Sequence, residues 1–231
     1  MKYDVIFWDV DDTLLDFGYS EKWAIRHCFE LIGCEIPDEW IQRYSVINDG
    51  YWKRLEKGEV TKAEVLRGRF VDLFKEMKLA MTEDAITTFQ KNYQKALGEV
   101  YCYRDSSYEL CKKLKKNCRQ YLVTNGVEST QRSKLKLAGL DELMDGIFIS
   151  EVLGAVKPQK EFFDACFQQI PNLDKERVLL IGDSLSSDIK GAFNAGIASC
   201  WYNPNGKVAQ EMKPDYEIAN LWEVEKVLGG E

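Results

Sequence analysis

The chain has 231 residues, of which 45% are hydrophobic and 30% charged, and its formal net charge is −7. These values are typical of a globular protein, and the acidic balance argues against a broad nucleic-acid or anionic-membrane surface. The sequence predicts neither a signal peptide nor a membrane span, so we expect a cytoplasmic protein. Seven cysteines without metal-like spacing predict reduced thiols, and a single histidine, His27, argues against a Ser-His-Asp triad.

The first predicted element is a short apolar strand, Val5–Trp8, and three carboxylates follow it at once: Asp9, Asp11 and Asp12. From residue 16 to about residue 102 there is no convincing strand. Apolar residues there recur at helical spacing in four stretches, residues 20–32, 38–57, 61–78 and 82–97, with Thr61 and Thr82 as plausible N-caps. We therefore predict an inserted four-helix domain over residues 16–102.

Short β-rich runs alternate with helical segments in the rest of the chain, which predicts crossover units and a parallel sheet covered on both faces. The fold class is therefore α/β with a Rossmann-like sheet, formed by residues 1–15 and 103–231. The further predicted strands are Tyr121–Thr124, Ile147–Ile149, Val178–Ile181 and Ser199–Tyr202, and the predicted helices are Ser107–Lys116, Glu128–Leu137, Lys160–Ile170, Ser186–Ala195 and Leu221–Leu228.

Acidic residues follow two of these strands, at the end where ligands bind in a parallel α/β sheet. Asp9 and Asp11 leave the first strand, and Asp183 and Asp188 follow the strand in VLLIGDSLSSD. Like charges that converge in a partly dry site require a cation. A ligand set of carboxylates without histidine favours Mg²⁺ over zinc.

Two other strand ends carry groups that suit a phosphoryl substrate. Thr124 and Asn125 close one strand at a helix entrance, where a hydroxyl and backbone N–H groups can hold phosphoryl oxygens. Lys157, just before Pro158, supplies a local positive charge. Because Mg²⁺ in proteins commonly keeps substrate phosphate in its coordination shell, the combination predicts phosphoryl chemistry.

The ordered blocks DxDxT, TN, KP and GDxxxxD resemble the signature of the haloacid dehalogenase (HAD) superfamily, over the whole chain and with a helical cap after the first block. The resemblance implies that Asp9 is the nucleophile, which forms an aspartyl-phosphate. It implies that Asp11 protonates the leaving oxygen and then activates water, while its backbone carbonyl binds Mg²⁺. True dehalogenases of the superfamily lack this second acid, so dehalogenation is disfavoured. Asp12 matches a variable position and is given no role.

The same resemblance assigns the remaining site residues. Thr124 and Asn125 would hold the phosphoryl group, and Lys157 would stabilise both nucleophile and phosphate. Asp183 would ligate Mg²⁺ and Asp188 would support it. The predicted metal site thus comprises Asp9, Asp11, Asp183 and Asp188.

Within the superfamily the chain resembles the pyrimidine 5′-nucleotidases of the YjjG/YfnB type. The stretches that carry this resemblance are FWDVDDTLLDF, residues 48–70 in the cap, VTNGVESTQRSKLKLAGL, ISEVLGAVKP and CWYNP. It implies a Mg²⁺-dependent phosphatase that acts on nucleoside monophosphates such as dUMP, dTMP or UMP. Asn48, Trp52 and Arg69 are the cap residues predicted to contact base or sugar.

Two alternatives stay open at this point. The first keeps the chemistry with another substrate, as in a sugar-phosphate or phosphoglycolate phosphatase or a β-phosphoglucomutase. The second is a Mg²⁺-dependent phospho-signalling or binding protein, although receiver domains are about half this length and have no cap. The expected partner is a small phosphate ester, with no nucleic acid or membrane, and the expected state is a monomer or weak homodimer.

Overall fold

The computed structural model describes residues 1–209 and 212–229. The chain divides into two compact units. The first, here called the α/β unit, comprises residues 1–17 and 102–231, and the second, the helical unit, comprises residues 18–101. Within the described residues, the helices lack the length and hydropathy needed to cross a bilayer.

A parallel sheet of six strands forms the centre of the α/β unit, in the order β3-β2-β1-β4-β5-β6. Its strands are β1 Val5–Trp8, β2 Arg119–Thr124, β3 Gly146–Ile149, β4 Val178–Gly182, β5 Ala198–Tyr202 and β6 Tyr216–Ile218. The order reverses where β1 lies beside β4, so the carboxyl ends of these two strands flank the crevice in which such sheets bind ligands. This confirms the predicted α/β fold class.

The helical unit is built from amphipathic helices that bury one face each. They are α1 Phe17–Leu31, α2 Asp38–Glu56, α3 Lys62–Glu76 and α4 Glu83–Leu97. Thr61 caps α3 in a capping box with Glu64, and the Thr82 side chain accepts a hydrogen bond from the backbone N–H of Ala85 at the start of α4. Both caps confirm the N-termini predicted for these helices.

The helices of the α/β unit lie between its strands, except α10, which follows the last strand. They are α5 Ser107–Leu114, α6 Glu128–Leu137, α7 Ser150–Leu153, α8 Lys160–Phe167, α9 Lys190–Ala195 and α10 Val224–Gly229. A π-helical turn, Leu185–Ile189, precedes α9 in the stretch that the sequence predicted as regular helix. Such turns concentrate at functional sites, and this one carries Asp188.

The central strands are buried on both faces, as expected for a parallel sheet between helices. On one face Phe7 of β1 belongs to an apolar cluster with Leu180 of β4 and Phe163 of α8. On the other face Trp8 donates an indole hydrogen bond of 3.0 Å to Gln120. The core therefore holds β1 rigidly, and with it the residues that follow at its carboxyl end.

Candidate active site

Three carboxylates meet at the carboxyl edge of the sheet. Asp9 follows β1, Asp183 follows β4, and Asp188 lies on the π-helical turn. One oxygen atom from each carboxylate lies within 4.8 Å of one oxygen from each of the others. The backbone N–H of Asp9 also donates 2.9 Å to the Ile181 carbonyl, which ties the end of β1 to β4.

Lys157 bridges two of these acids. Its Nζ lies 2.6 Å from Asp9 Oδ1 and 2.7 Å from Asp188 Oδ1, and it also donates 2.9 Å to the Val123 carbonyl. The residue is 2% exposed. A buried ammonium with three acceptors is fully paired, so Lys157 is fixed in place beside the carboxylate of Asp9.

The charges of the cluster do not cancel. Three ionised carboxylates and one ammonium leave two negative charges. Burial raises the pKa of Asp9 to about 7, with Asp188 and Asp11 adding to the rise and Lys157 opposing it. Burial also raises the pKa of Asp183 well above its ordinary value, and the negative charges of Asp9 and Asp188 add to the rise. The pocket therefore favours either bound protons or a divalent cation.

Asp188 reaches the cluster because residue 182 has no side chain. A Cβ built on Gly182 would lie 2.3 Å from Asp188 Cγ. Asp188 Oδ2 also accepts 3.2 Å from the backbone N–H of Ser184. With Oδ1 on Lys157, both oxygens of Asp188 are occupied, so this carboxylate orients the lysine.

Asp11 does not share the carboxylate cluster. Its Oδ2 accepts 2.6 Å from Gln131 Nε2, and its Oδ1 pairs with the ammonium of Lys134. Gln131 and Lys134 both belong to α6. The predicted metal contact of Asp11 through its backbone carbonyl stays a prediction.

Thr124 and Asn125 lie at the end of β2, and the structure shows what each side chain contacts. The Asn125 amide donates 2.9 Å to the Lys157 carbonyl and accepts 2.8 Å from the Lys157 N–H. Thr124 Oγ1 accepts 3.0 Å from the Gly126 N–H. Asn125 therefore holds the backbone of Lys157, and Thr124 can still donate its hydroxyl hydrogen. Contact of either side chain with a phosphoryl group stays a prediction.

A family model described as haloacid dehalogenase-like hydrolase matches residues 3–196. The chain belongs to this family. The match confirms the superfamily resemblance, and this protein is therefore a hydrolase.

Relatives match this hydrolase over nearly its whole length. It is 39% identical to the HAD-hydrolase YfnB of Bacillus subtilis, over 98% of this chain and 96% of the relative. It is 29% identical to the pyrimidine 5′-nucleotidase YjjG of Escherichia coli, over 99% of each chain. A crystal structure of YfnB from Bacillus subtilis, described as bound to magnesium, superposes with a TM-score of 0.92 at 38% identity, over 99% of each chain. The predicted resemblance to this type of protein is confirmed.

Thr13 is a site residue of this hydrolase to which the sequence reasoning gave no role. Its hydroxyl donates 3.0 Å to Asp9 Oδ2 and accepts 3.1 Å from the backbone N–H of Asp183. The indole of Trp201 donates 2.8 Å to the Asp183 carbonyl. Thr13 is the last residue of the DxDxT block, and its position in that motif could have identified it as a site residue.

Asp12, which was given no catalytic role, has a local structural one. It has a left-handed backbone conformation with a φ of 64°. Its Oδ1 accepts 2.7 Å from Arg104 and 3.2 Å from the Phe17 N–H. This carboxylate therefore fixes the chain as it leaves the site.

In the helical unit, the structure places two of the predicted substrate contacts in the interior. Asn48 is 3% exposed and Arg69 is 1% exposed. Arg69 Nη1 donates 2.7 Å to Asn48 Oδ1, and Asn48 Nδ2 donates 2.7 Å to Glu21 Oε1. Substrate contact requires accessible atoms, so these two side chains serve the helical unit itself in this conformation. Trp52 is half-buried, and its contact with a base stays a prediction.

Proposed function

We propose that this hydrolase is a Mg²⁺-dependent phosphomonoesterase that acts through an aspartyl-phosphate on Asp9. The observation that carries the proposal is the position of Lys157, which pairs with Asp9 and Asp188 at the edge of a buried acidic cluster. A carboxylate attacks an anionic phosphate only where positive charge offsets the repulsion between them. The lysine supplies part of that charge.

The donor set fits Mg²⁺. Asp9, Asp183 and Asp188 offer carboxylate oxygens alone, and the group contains no imidazole or thiolate. Hard oxygen donors are the ligands that Mg²⁺ prefers, and its two positive charges match the two uncompensated negative charges of the cluster. Asp9 and Asp183 would hold the ion with the backbone carbonyl of Asp11, and Asp188 would support it. When bound, it withdraws electron density from the phosphoryl oxygens and offsets their charge.

In the first half-reaction a carboxylate oxygen of Asp9 attacks phosphorus. The bond between phosphorus and the ester oxygen breaks, and its electron pair stays on that oxygen. Asp11 donates a proton to the same oxygen, so the product leaves as a neutral alcohol. Lys157 stays on Asp9 and stabilises the negative charge that develops on the transferred group. Thr124 donates its hydroxyl hydrogen to a phosphoryl oxygen.

In the second half-reaction water attacks the phosphorus of the aspartyl-phosphate. Asp11, now ionised, accepts a proton from that water, and the acyl phosphate bond breaks to restore the Asp9 carboxylate and release inorganic phosphate. One acid therefore serves both halves, as a proton donor in the first and an acceptor in the second. The balance is one ester and one water consumed, one alcohol and one phosphate formed.

The proposed substrates are nucleoside 5′-monophosphates with a pyrimidine base. Support comes from the relatives named as pyrimidine 5′-nucleotidases, YjjG of Escherichia coli and PynA of Streptococcus pneumoniae, the latter 33% identical over 94% of this chain and 92% of the relative. The alternatives keep the chemistry of Asp9. A sugar-phosphate or phosphoglycolate phosphatase would differ in the alcohol released, and a β-phosphoglucomutase would return the phosphoryl group to a bound sugar instead of to water.

The test is a panel of phosphate esters assayed with Mg²⁺ and with EDTA. It should include dUMP, dTMP, UMP, AMP, GMP, glucose phosphates and phosphoglycolate. We expect the highest kcat/KM on pyrimidine nucleotides, no turnover in EDTA and none for Asp9→Asn, which keeps the shape of the side chain. A higher kcat/KM on a sugar phosphate would overturn the proposed substrate class. Phosphatase activity in folded Asp9→Asn would overturn the assignment of Asp9 as the nucleophile.

A further inference from the structure

Two side chains of α6 hold the carboxylate of Asp11 from both sides. Gln131 donates to Oδ2 at 2.6 Å, and the Lys134 ammonium pairs with Oδ1. The two residues are three positions apart, so they share one face of the helix. Neither belongs to the strand-end blocks from which the site was predicted.

Their burial shows that these contacts are not chance surface pairs. Gln131 is 2% exposed and Lys134 is 1% exposed. A lysine is almost never fully buried unless it is paired, because both desolvation and lost side-chain freedom oppose its burial. Asp11 is the acid paired with Lys134. The side chain of Lys134 is therefore held in the interior by its contact with Asp11.

The loop before α6 makes room for the glutamine. A Cβ built on Gly126 would lie 2.1 Å from Gln131 Nε2, so any larger residue at position 126 would displace the amide. Gln131 Oε1 is buried and has no hydrogen-bond partner among the described residues. The contact with Asp11 at Nε2 therefore sets the orientation of this amide.

We propose that Gln131 and Lys134 are positioning residues, which hold the carboxyl group of Asp11 in one rotamer for proton exchange with the leaving oxygen. Each carboxylate oxygen has two lone pairs, so an oxygen that accepts from α6 with one can carry the transferred proton on the other. The inference rests on the proposed function of Asp11. The side chain of Asp11 is partly exposed on a short loop, and its contacts with Gln131 and Lys134 keep it in one rotamer. Misplacement of a catalytic group by about 1 Å can reduce a rate about 100-fold.

This role predicts a loss that depends on the leaving group. Help from a proton donor matters most for an alkoxide, a poor leaving group, and least for p-nitrophenolate, which is stable as an anion. The parameter to compare is kcat/KM, since it includes only the steps up to release of the alcohol and is independent of how fast the aspartyl-phosphate hydrolyses. A residue that merely stabilises the fold would lower kcat/KM equally for every leaving group.

The experiment measures kcat/KM of the full chain with Mg²⁺ for an alkyl phosphate, phenyl phosphate and p-nitrophenyl phosphate. The variants are Lys134→Met and Gln131→Met, with Asp11→Asn as the positive control. The matched negative control is Lys136→Met, since Lys136 is an exposed lysine of the same helix. Circular dichroism and a urea titration establish that each variant is folded, and Gln131→Met serves if Lys134→Met fails to fold.

We expect Lys134→Met and Gln131→Met to lower kcat/KM roughly 10- to 100-fold for the alkyl phosphate and less than about 3-fold for p-nitrophenyl phosphate. Equal losses across the series would overturn the positioning role. The aryl esters contain no nucleoside, so the series also separates the two proposals. If the wild-type protein does not hydrolyse nucleotides but the variants still show this dependence on the leaving group, only the substrate proposal is contradicted.

Discussion

The ammonium of Lys157 lies between Asp9 and Asp188, 2.6 Å from one carboxylate and 2.7 Å from the other. Burial alone would lower the pKa of Lys157, but the carboxylates of Asp188 and Asp9 raise it above its ordinary value. The lysine therefore stays protonated near neutral pH. It can attract a phosphate but cannot serve as a base.

Replacement of Lys157 by Met should lower kcat/KM about 1,000-fold, because the transferred group loses a cation fixed before the reaction begins. The metal-free variant should also lose roughly 3 kcal/mol of unfolding free energy, since two buried carboxylates lose their partner. Steady-state kinetics with Mg²⁺ and urea titration in EDTA check the two effects. Lys160→Met, at an exposed lysine three residues on, is the matched control and should keep at least half the activity. A folded Lys157→Met that retained a tenth of the activity would contradict the assignment.

The acidic cluster predicts how stability responds to pH. The folded-state pKa of Asp9 is about 7, above the ordinary value of a carboxyl group, and that of Asp183 is also raised. Between about pH 4 and pH 7 the folded state therefore binds more protons than the unfolded state, so the unfolding free energy contributed by these groups falls as pH rises. Over that window we expect a loss of roughly 2 to 4 kcal/mol in EDTA.

Urea titrations at pH 5, 6, 7 and 8, with EDTA or with Mg²⁺, measure this loss. Mg²⁺ should flatten the slope, because the ion binds the ionised carboxylates and displaces their protons. Calorimetry in buffers of different ionisation enthalpy should then show proton release on binding at pH 6. Asp9→Asn, which cannot ionise, provides the control and should reduce the metal-free slope. Identical slopes with and without Mg²⁺ would argue against a metal at this cluster.

Gly182→Ala should weaken the proposed metal site by displacing Asp188, while the side chains of Asp9 and Asp183 stay unchanged. The added Cβ would lie 2.3 Å from Asp188 Cγ, so Asp188 must move away from Lys157. We expect Mg²⁺ affinity to fall about 10- to 100-fold, the range typical of lost support around metal ligands. Gly50→Ala is the matched control, because an added Cβ there would meet no described atom within 4 Å beyond its chain neighbours and the local helix backbone, and the position is inside α2. That change should stabilise the protein by about 0.5 to 1 kcal/mol. Calorimetric titration with Mg²⁺ that gave equal affinities for both variants would refute the role of Gly182.

The polar group inside the helical unit should affect stability more than substrate binding. Asn48→Ala removes two buried hydrogen bonds, one from Arg69 Nη1 to Asn48 and one from Asn48 to Glu21 Oε1, which should cost about 3 kcal/mol of unfolding free energy. Arg69 already has two buried nitrogens, Nε and Nη2, that make no hydrogen bond within the described part of the chain. A double-mutant cycle of Asn48→Ala with Arg69→Met, followed by urea unfolding, measures the coupling of the pair. A large rise in KM for a nucleotide in the folded variants would instead restore the substrate-contact interpretation.

The sequence predicted the strand-end residues because each functional group follows an apolar run, and parallel strands bring their carboxyl ends to one edge. The same logic placed Asp9, Thr124 and Asp183 at that edge. It could not assign Gln131 and Lys134 to Asp11, since helical spacing shows which residues share a face but not what that face meets. The strand β6 was missed because three residues with one buried side chain leave no periodic signal. The burial of Arg69 was not predicted, because a buried arginine and a substrate-binding arginine have the same local sequence pattern.

The strand order also has a consequence for how the protein is made. Asp9, the proposed nucleophile, directly follows β1, yet the lysine and the acids around it come from positions 157, 183 and 188. At translation rates of about 5 to 20 residues per second, Asp188 is added to the chain roughly 10 to 35 seconds after Asp9. The nascent chain therefore contains the whole helical unit before the acidic cluster is complete. The cluster becomes complete only when β4 and the π-helical turn after it have been synthesised.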